Sequence, residues 1–96
     1  MSLIELLRAR RDEIIQLAAK HGAYHVRLFG SVARREDDEQ SDVDFLVSMK
    51  EETSLMDHAA LIVDLEGLLG RKVDVAPENC LRPKIKDRIL NEAAEL

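Results

Sequence analysis

The chain has 96 residues, a net charge of −5 and a pI near 5.1, with 46% apolar and 34% charged residues. That size and balance predict one globular domain, residues 1–96, rather than a disordered chain. They exclude a protein that coats phosphate backbones with clustered Lys and Arg, so direct nucleic-acid binding is not expected. The single cysteine, Cys80, excludes an internal disulfide and fits a reducing compartment. Met1-Ser2-Leu3-Ile4-Glu5 meets charge too soon for a signal peptide, and no apolar run reaches the eighteen or so residues of a membrane span. A cytoplasmic location and no membrane attachment are expected.

In chain order, Ser2 and Glu5 form a capping box, and Ile4, Leu7, Ile14 and Ala18 recur at helical spacing with Arg11 on the same stripe. One helix from Leu3 to His21 is expected, closed by Gly22. Its Arg8-Ala9-Arg10-Arg11 run reads as a solvated face before it reads as a patch for an acidic partner. His25 to Gly30 alternates as a strand and ends on glycine. Ser31 suits a helix N-cap, so a short helix is expected over 31–35. Glu36 to Gln40 is a polar loop. Asp42 to Met49 is a second strand, with Val43, Phe45 and Val47 turned into the core. Ser54 and Asp57 cap a third helix, with Leu55, Ala59, Ile62, Leu65 and Leu69 as its stripe and Gly70 at its end. Lys72 to Ala76 is a third strand, stopped by Pro77, in which Asp74 lies on the face opposite Val73 and Val75. Pro83 opens a last helix whose expected buried stripe is Ile85, Ile89, Ala93 and Leu96. His21, His25 and His58 lack metal-ligand spacing and read as surface or cap residues. The order α-β-α-β-α-β-α implies an α/β (α+β) fold, with helices on a small mixed sheet of about three strands.

Asp42, Asp44 and Asp74 are the acids set within apolar strand patterns. Asp42 and Asp44 share a strand face roughly 7 Å apart, where two such charges repel by roughly 2 kcal/mol at an effective dielectric of about 20. A divalent cation held by oxygen ligands would offset that repulsion. If the second and third strands are neighbours, all three carboxylates meet on one face. They would then suit Mg²⁺ or Mn²⁺, and two ions there would clamp the attacking and leaving oxygens of a phosphoryl-type transfer. The preceding turn supplies the other half. Gly30 permits close approach of a phosphate, Ser31 offers a hydroxyl and free amides, and Arg34 could neutralise a polyphosphate. Separately these are weak signals, because Gly-Ser is usually only a turn and Asp-x-Asp only a solvation device. Their ordered combination is far more specific.

Gly30-Ser31-Val32-Ala33-Arg34 followed by Ser41-Asp42-Val43-Asp44-Phe45-Leu46-Val47 resembles the nucleotidyltransferase signature of the DNA polymerase β superfamily. The Arg27-Leu28-Phe29 lead-in and the length resemble its smallest branch, the minimal nucleotidyltransferase (MNT) domains. The resemblance implies a polymerase-β-like nucleotidyltransferase fold. It also implies that Asp42 and Asp44 hold two magnesium ions and the phosphates of ATP or another NTP. Asp74 would bind the catalytic metal and help deprotonate the acceptor, and Gly30 and Ser31 would hold the triphosphate. Where the family commonly has glycine after Ala-Arg, this chain has Arg35.

Many MNT proteins resemble antitoxins paired with a HEPN-domain toxin, and move AMP from ATP to a toxin tyrosine. The same role is implied here, as is a cytoplasmic antitoxin whose acceptor surface comes from a partner or from a second copy of the chain. Two other readings stand beside it. One is an antitoxin that neutralises by binding alone; the other is a transferase acting on a small molecule, which would want a second domain to form its pocket.

Overall fold

The computed structural model describes residues 2–96. Its element order is α1 (Leu3–Ala9), α2 (Arg11–Lys20), β1 (Ala23–Phe29), α3 (Gly30–Ala33), β2 (Val43–Met49), α4 (Leu55–Leu69), β3 (Val73–Pro77), a 3₁₀ turn (Glu78–Cys80), α5 (Pro83–Glu92) and β4 (Ala94–Glu95). The strands form one mixed sheet in the order β3-β2-β1-β4, with β2 and β3 parallel and β1 antiparallel to both β2 and β4. A parallel pair needs a crossover, and α4 supplies it. Among the described residues, no helix is long and apolar enough to cross a membrane.

Alternation along β2 sets the layers. Val43, Phe45 and Val47 are buried in the main core with Leu28 of β1, Val73 and Val75 of β3, Ile14 of α2, and Leu61 and Leu65 of α4. Asp44 and Leu46, of the other parity, lie on the opposite face. Leu46 is buried there, beside its register partner Arg27.

Five expectations need correction. The first helix is broken at Arg10, whose guanidinium donates to the Leu68 carbonyl at 2.6 Å. A continuous helix would have carried Arg11 into the stripe of Leu7, Ile14 and Ala18; the break leaves Arg11 exposed while both apolar pairs reach the core. In α4 the buried residues are Leu61 and Leu65, whereas Leu55 is 83% exposed and Ala59 is also exposed. That helix is apolar on nearly every side, so its period alone does not choose a face.

The last helix stops at Glu92 and has no buried residue. Ile85 is largely exposed, and Leu96 enters the core from beyond the helix. In between, Ala94 and Glu95 pair with Leu28 and Arg27 as a fourth strand too short to show a pattern. Finally, α3 begins at Gly30 with Phe29 at its N-cap, so Ser31 lies inside a one-turn helix and does not cap it. Pro77 ends β3 as its last residue, opposite Val47, and does not lie beyond it.

Candidate active site

Burial of Val43, Phe45 and Val47 turns Asp44 to the open face of the sheet, and Asp42 immediately precedes β2. The parallel register places Asp44 directly beside Asp74, on strands about 4.8 Å apart. Val73 and Val75 are buried and Asp74 is exposed between them, so both strands present their carboxylates on the same face. Asp44 is half-buried, and its carboxyl is pushed above the ordinary aspartate range. Desolvation is the largest cause, the charges of Asp74 and Asp42 add to it, and Arg34 opposes it. The three aspartates thus form one electrostatic unit.

Gly30 closes this unit from the β1 side. Phe29 is the register partner of Asp44, and the chain then turns at Gly30 with φ 73°. A Cβ on Gly30 would collide with Asp44 Oδ2, so only glycine permits both the left-handed turn and this approach. Ser31 lies half-buried in the following turn, and Arg34 ends it. Arg34 is engaged within the chain, with its Nε donating to Glu36 at 3.1 Å and its Nη1 to Glu92 at 3.2 Å.

Among the described residues, no three His, Cys, Asp or Glu side chains are gathered closely enough to enclose a metal ion by themselves. The donor set is an open face of carboxylate oxygens. That suits a hard octahedral cation such as Mg²⁺ or Mn²⁺, which takes few carboxylates and completes its shell with water and phosphate oxygens.

The other sequence candidates fall outside this face. His21 caps α2 and bonds Asp64 at 2.7 Å, and His25 meets Glu95 at 3.2 Å. His58 is half-buried, with Nε2 2.6 Å from the Val75 carbonyl, so it ties α4 to β3 and is neither a surface nor a cap residue. Arg8 and Arg10 donate to the Glu95 and Leu68 carbonyls, which leaves little of the basic run free. Cys80 is exposed.

Lys84, Arg88 and Glu92 of α5, for which no role was expected, and Ile85 and Ile89, expected in the buried stripe, form a wall opposite Phe29, Gly30 and Arg34. The signal available for them was the helical spacing of Lys84, Arg88 and Glu92 beside the apolar pair Ile85 and Ile89.

Residues 11–96 match the model of the nucleotidyltransferase domain family. The chain is 46% identical over 86 residues to a provisionally named protein adenylyltransferase of Methanocaldococcus jannaschii, covering 90% of this chain and 92% of that one. It is 38% identical over 87 residues to the protein adenylyltransferase MntA of Thermococcus cleftensis, covering 91% and 85%. A solved structure provisionally described as a minimal nucleotidyltransferase superposes with a TM-score of 0.88 at 51% identity, covering 100% of this chain and 97% of that chain. A toxin–antitoxin structure with AMP-PNP shares the fold, with a TM-score of 0.76 at 19% identity over 88% of this chain and 69% of that one. The carboxylate face beside a glycine turn, the mixed sheet that builds it and these likenesses agree: the chain belongs to the nucleotidyltransferase domain family and has the minimal nucleotidyltransferase fold.

Proposed function

We propose that this nucleotidyltransferase is a metal-dependent protein adenylyltransferase, a single domain over residues 1–96, that moves AMP from ATP to a hydroxyl of a partner protein. The observation that carries the reading is the in-register pair Asp44 and Asp74, packed against Gly30 and electrostatically joined to Asp42. Three like charges there are costly without a cation, and a carboxylate face open to solvent can accept both a metal and phosphate oxygens.

Asp42 and Asp44 would hold Mg²⁺ (or Mn²⁺) and the ATP phosphates, and Asp74 would join them and draw the proton from the acceptor hydroxyl. Gly30 and Ser31 would lie along the triphosphate, with Arg34 near its charge. The metal, when bound, neutralises charge on the phosphates and on the leaving pyrophosphate. The acceptor oxygen bonds to the α-phosphorus, the bond to the bridging oxygen of pyrophosphate breaks, and the acceptor proton leaves through Asp74.

The names of the relatives support a protein acceptor, and the toxin–antitoxin setting of the fold neighbours supports an antitoxin acting on a toxin. In keeping with the sequence resemblance, we assign the acceptor to a HEPN-domain toxin tyrosine, in the cytoplasm. The test is an intact-mass spectrum of the neighbouring-gene protein after incubation with this chain, ATP and Mg²⁺. The expected result is a gain of one or more AMP units, absent with Asp44→Asn. A partner that gains no mass yet forms a stable complex would replace the reading with neutralisation by binding alone. The engagement of Arg34 by Glu36 and Glu92 is the observation that favours that second reading.

A further inference from the structure

Between the α3 turn and α5 lies an open groove of about 450 Å³. It adjoins the carboxylate face at Gly30, which lines the groove and lies against Asp44. Three cations, Arg34, Lys84 and Arg88, line it together with one carboxylate, Glu92. Glu92 faces two of them: Oε2 accepts from Arg34 Nη1 at 3.2 Å, and Oε1 lies 4.0 Å from Arg88 Nε. It is also the most enclosed of the three, at 23% side-chain exposure against 40% for Arg34 and 80% for Arg88.

We propose that this groove receives the phosphates of a nucleoside triphosphate on Arg34, Lys84 and Arg88, and that Glu92 is a built-in competitor which occupies two of those cations until phosphate displaces it. The inference rests on the nucleotidyl-transfer reading and adds the regulation of its substrate site. A triphosphate brings several negative charges toward a face that already holds Asp42, Asp44 and Asp74, so cations on the facing wall add to the metal's neutralisation and favour its entry. Glu92 is poorly placed to keep them. It is the last residue of α5, where the carbonyl end of a helix disfavours negative charge. Its pairs are partly solvent-exposed and therefore weak. Its backbone is fixed, because Ala94 pairs with Leu28 two residues on, so release takes only a side-chain rotation. Arg34 keeps Glu36 as a partner throughout.

The test is calorimetric titration of the protein with Mg²⁺-tripolyphosphate at low salt, for the wild type, Glu92→Gln and Arg88→Gln. Removing the competitor tightens binding about threefold to fivefold, and removing Arg88 weakens it by a similar factor. Glu92→Asp, which keeps the charge, stays near wild type. A purely structural role for Glu92 would weaken binding in both Gln variants and lower both melting temperatures. That result, or wild-type protein that does not bind tripolyphosphate, overturns the inference. Adenylyl transfer is read separately: a wild type that transfers AMP without opposite-sign shifts in the two variants sinks the groove alone. Opposite shifts without any transfer sink the transferase reading and leave the groove standing.

Discussion

Arg35 sits at φ 59°, the left-handed region that favours glycine. It occupies the C′ position after α3: its own N–H donates to the Val32 carbonyl at 3.1 Å, and the Glu36 N–H to the Ser31 carbonyl at 2.8 Å. Those are the two bonds of a Schellman ending. Arg35→Gly is expected to raise stability by about 1 kcal/mol, read as a higher denaturation midpoint without a change in slope. Asp44 gives a second prediction at this scale. Its folded-state carboxyl binds protons more readily than in the unfolded chain, so in metal-free buffer stability falls as pH rises through and above the ordinary carboxylate range. Asp44→Asn removes that loss. Its melting temperature in EDTA should exceed wild type by about 2–4 °C at neutral pH, corresponding to roughly 0.5 kcal/mol after solvent screening, and the gap should close as pH falls toward that range. The shared face of Asp44 and Asp74 was legible because strand parity is local and the buried residues beside them, Val43 and Phe45, Val73 and Val75, declare it; Asp42, expected in the strand, lies just before it. The partner of Arg34 was not legible, since Glu92 is 58 residues away and no local pattern joins them.

At the scale of elements, alternating strands and capped helices were readable wherever one face was plainly apolar: β2, β3 and the start of α1 all follow their sequence pattern. Reading failed where pattern was ambiguous or absent. The apolar α4 has no preferred face by composition, β4 has two residues, and the break at Arg10 has neither proline nor glycine to announce it. The junction of β1 with the 3₁₀ turn was equally hidden. Arg27 is 5% exposed, and its guanidinium donates to the His25 carbonyl at 3.1 Å and to Glu78 at 3.0 Å. The Arg27 bond holds the Glu78 carboxyl below the usual glutamate range, so the stability it contributes is present above that range and is lost as pH falls. Glu78→Ala strands a buried guanidinium and is expected to cost about 2–3 kcal/mol, measured by urea denaturation at neutral pH. Replacing both partners, Arg27→Met with Glu78→Leu, should cost less than Glu78→Ala alone.

The whole molecule divides its labour by sheet face. One face carries the aliphatic core under α2 and α4; the other carries Asp44 and Asp74, flanked by Gly30 and faced across a groove by α5. The stability of the core face is what allows three like charges to stand together on the other. A mixed sheet with α4 as crossover is what brings Asp74 into register with Asp44, although thirty residues separate them in sequence. The sequence could place both strands but not their pairing, which depends on how far α4 carries the chain. The central claim is that this face is the metal and nucleotide site. Its most direct test is an anomalous difference map from crystals grown with Mn²⁺ and a non-hydrolysable ATP analogue. Peaks are expected roughly 2.0–2.3 Å from carboxylate oxygens of Asp42, Asp44 and Asp74, with the triphosphate running past Gly30. A nucleotide bound with its metal elsewhere on the protein, leaving the three aspartates without a peak, would contradict it.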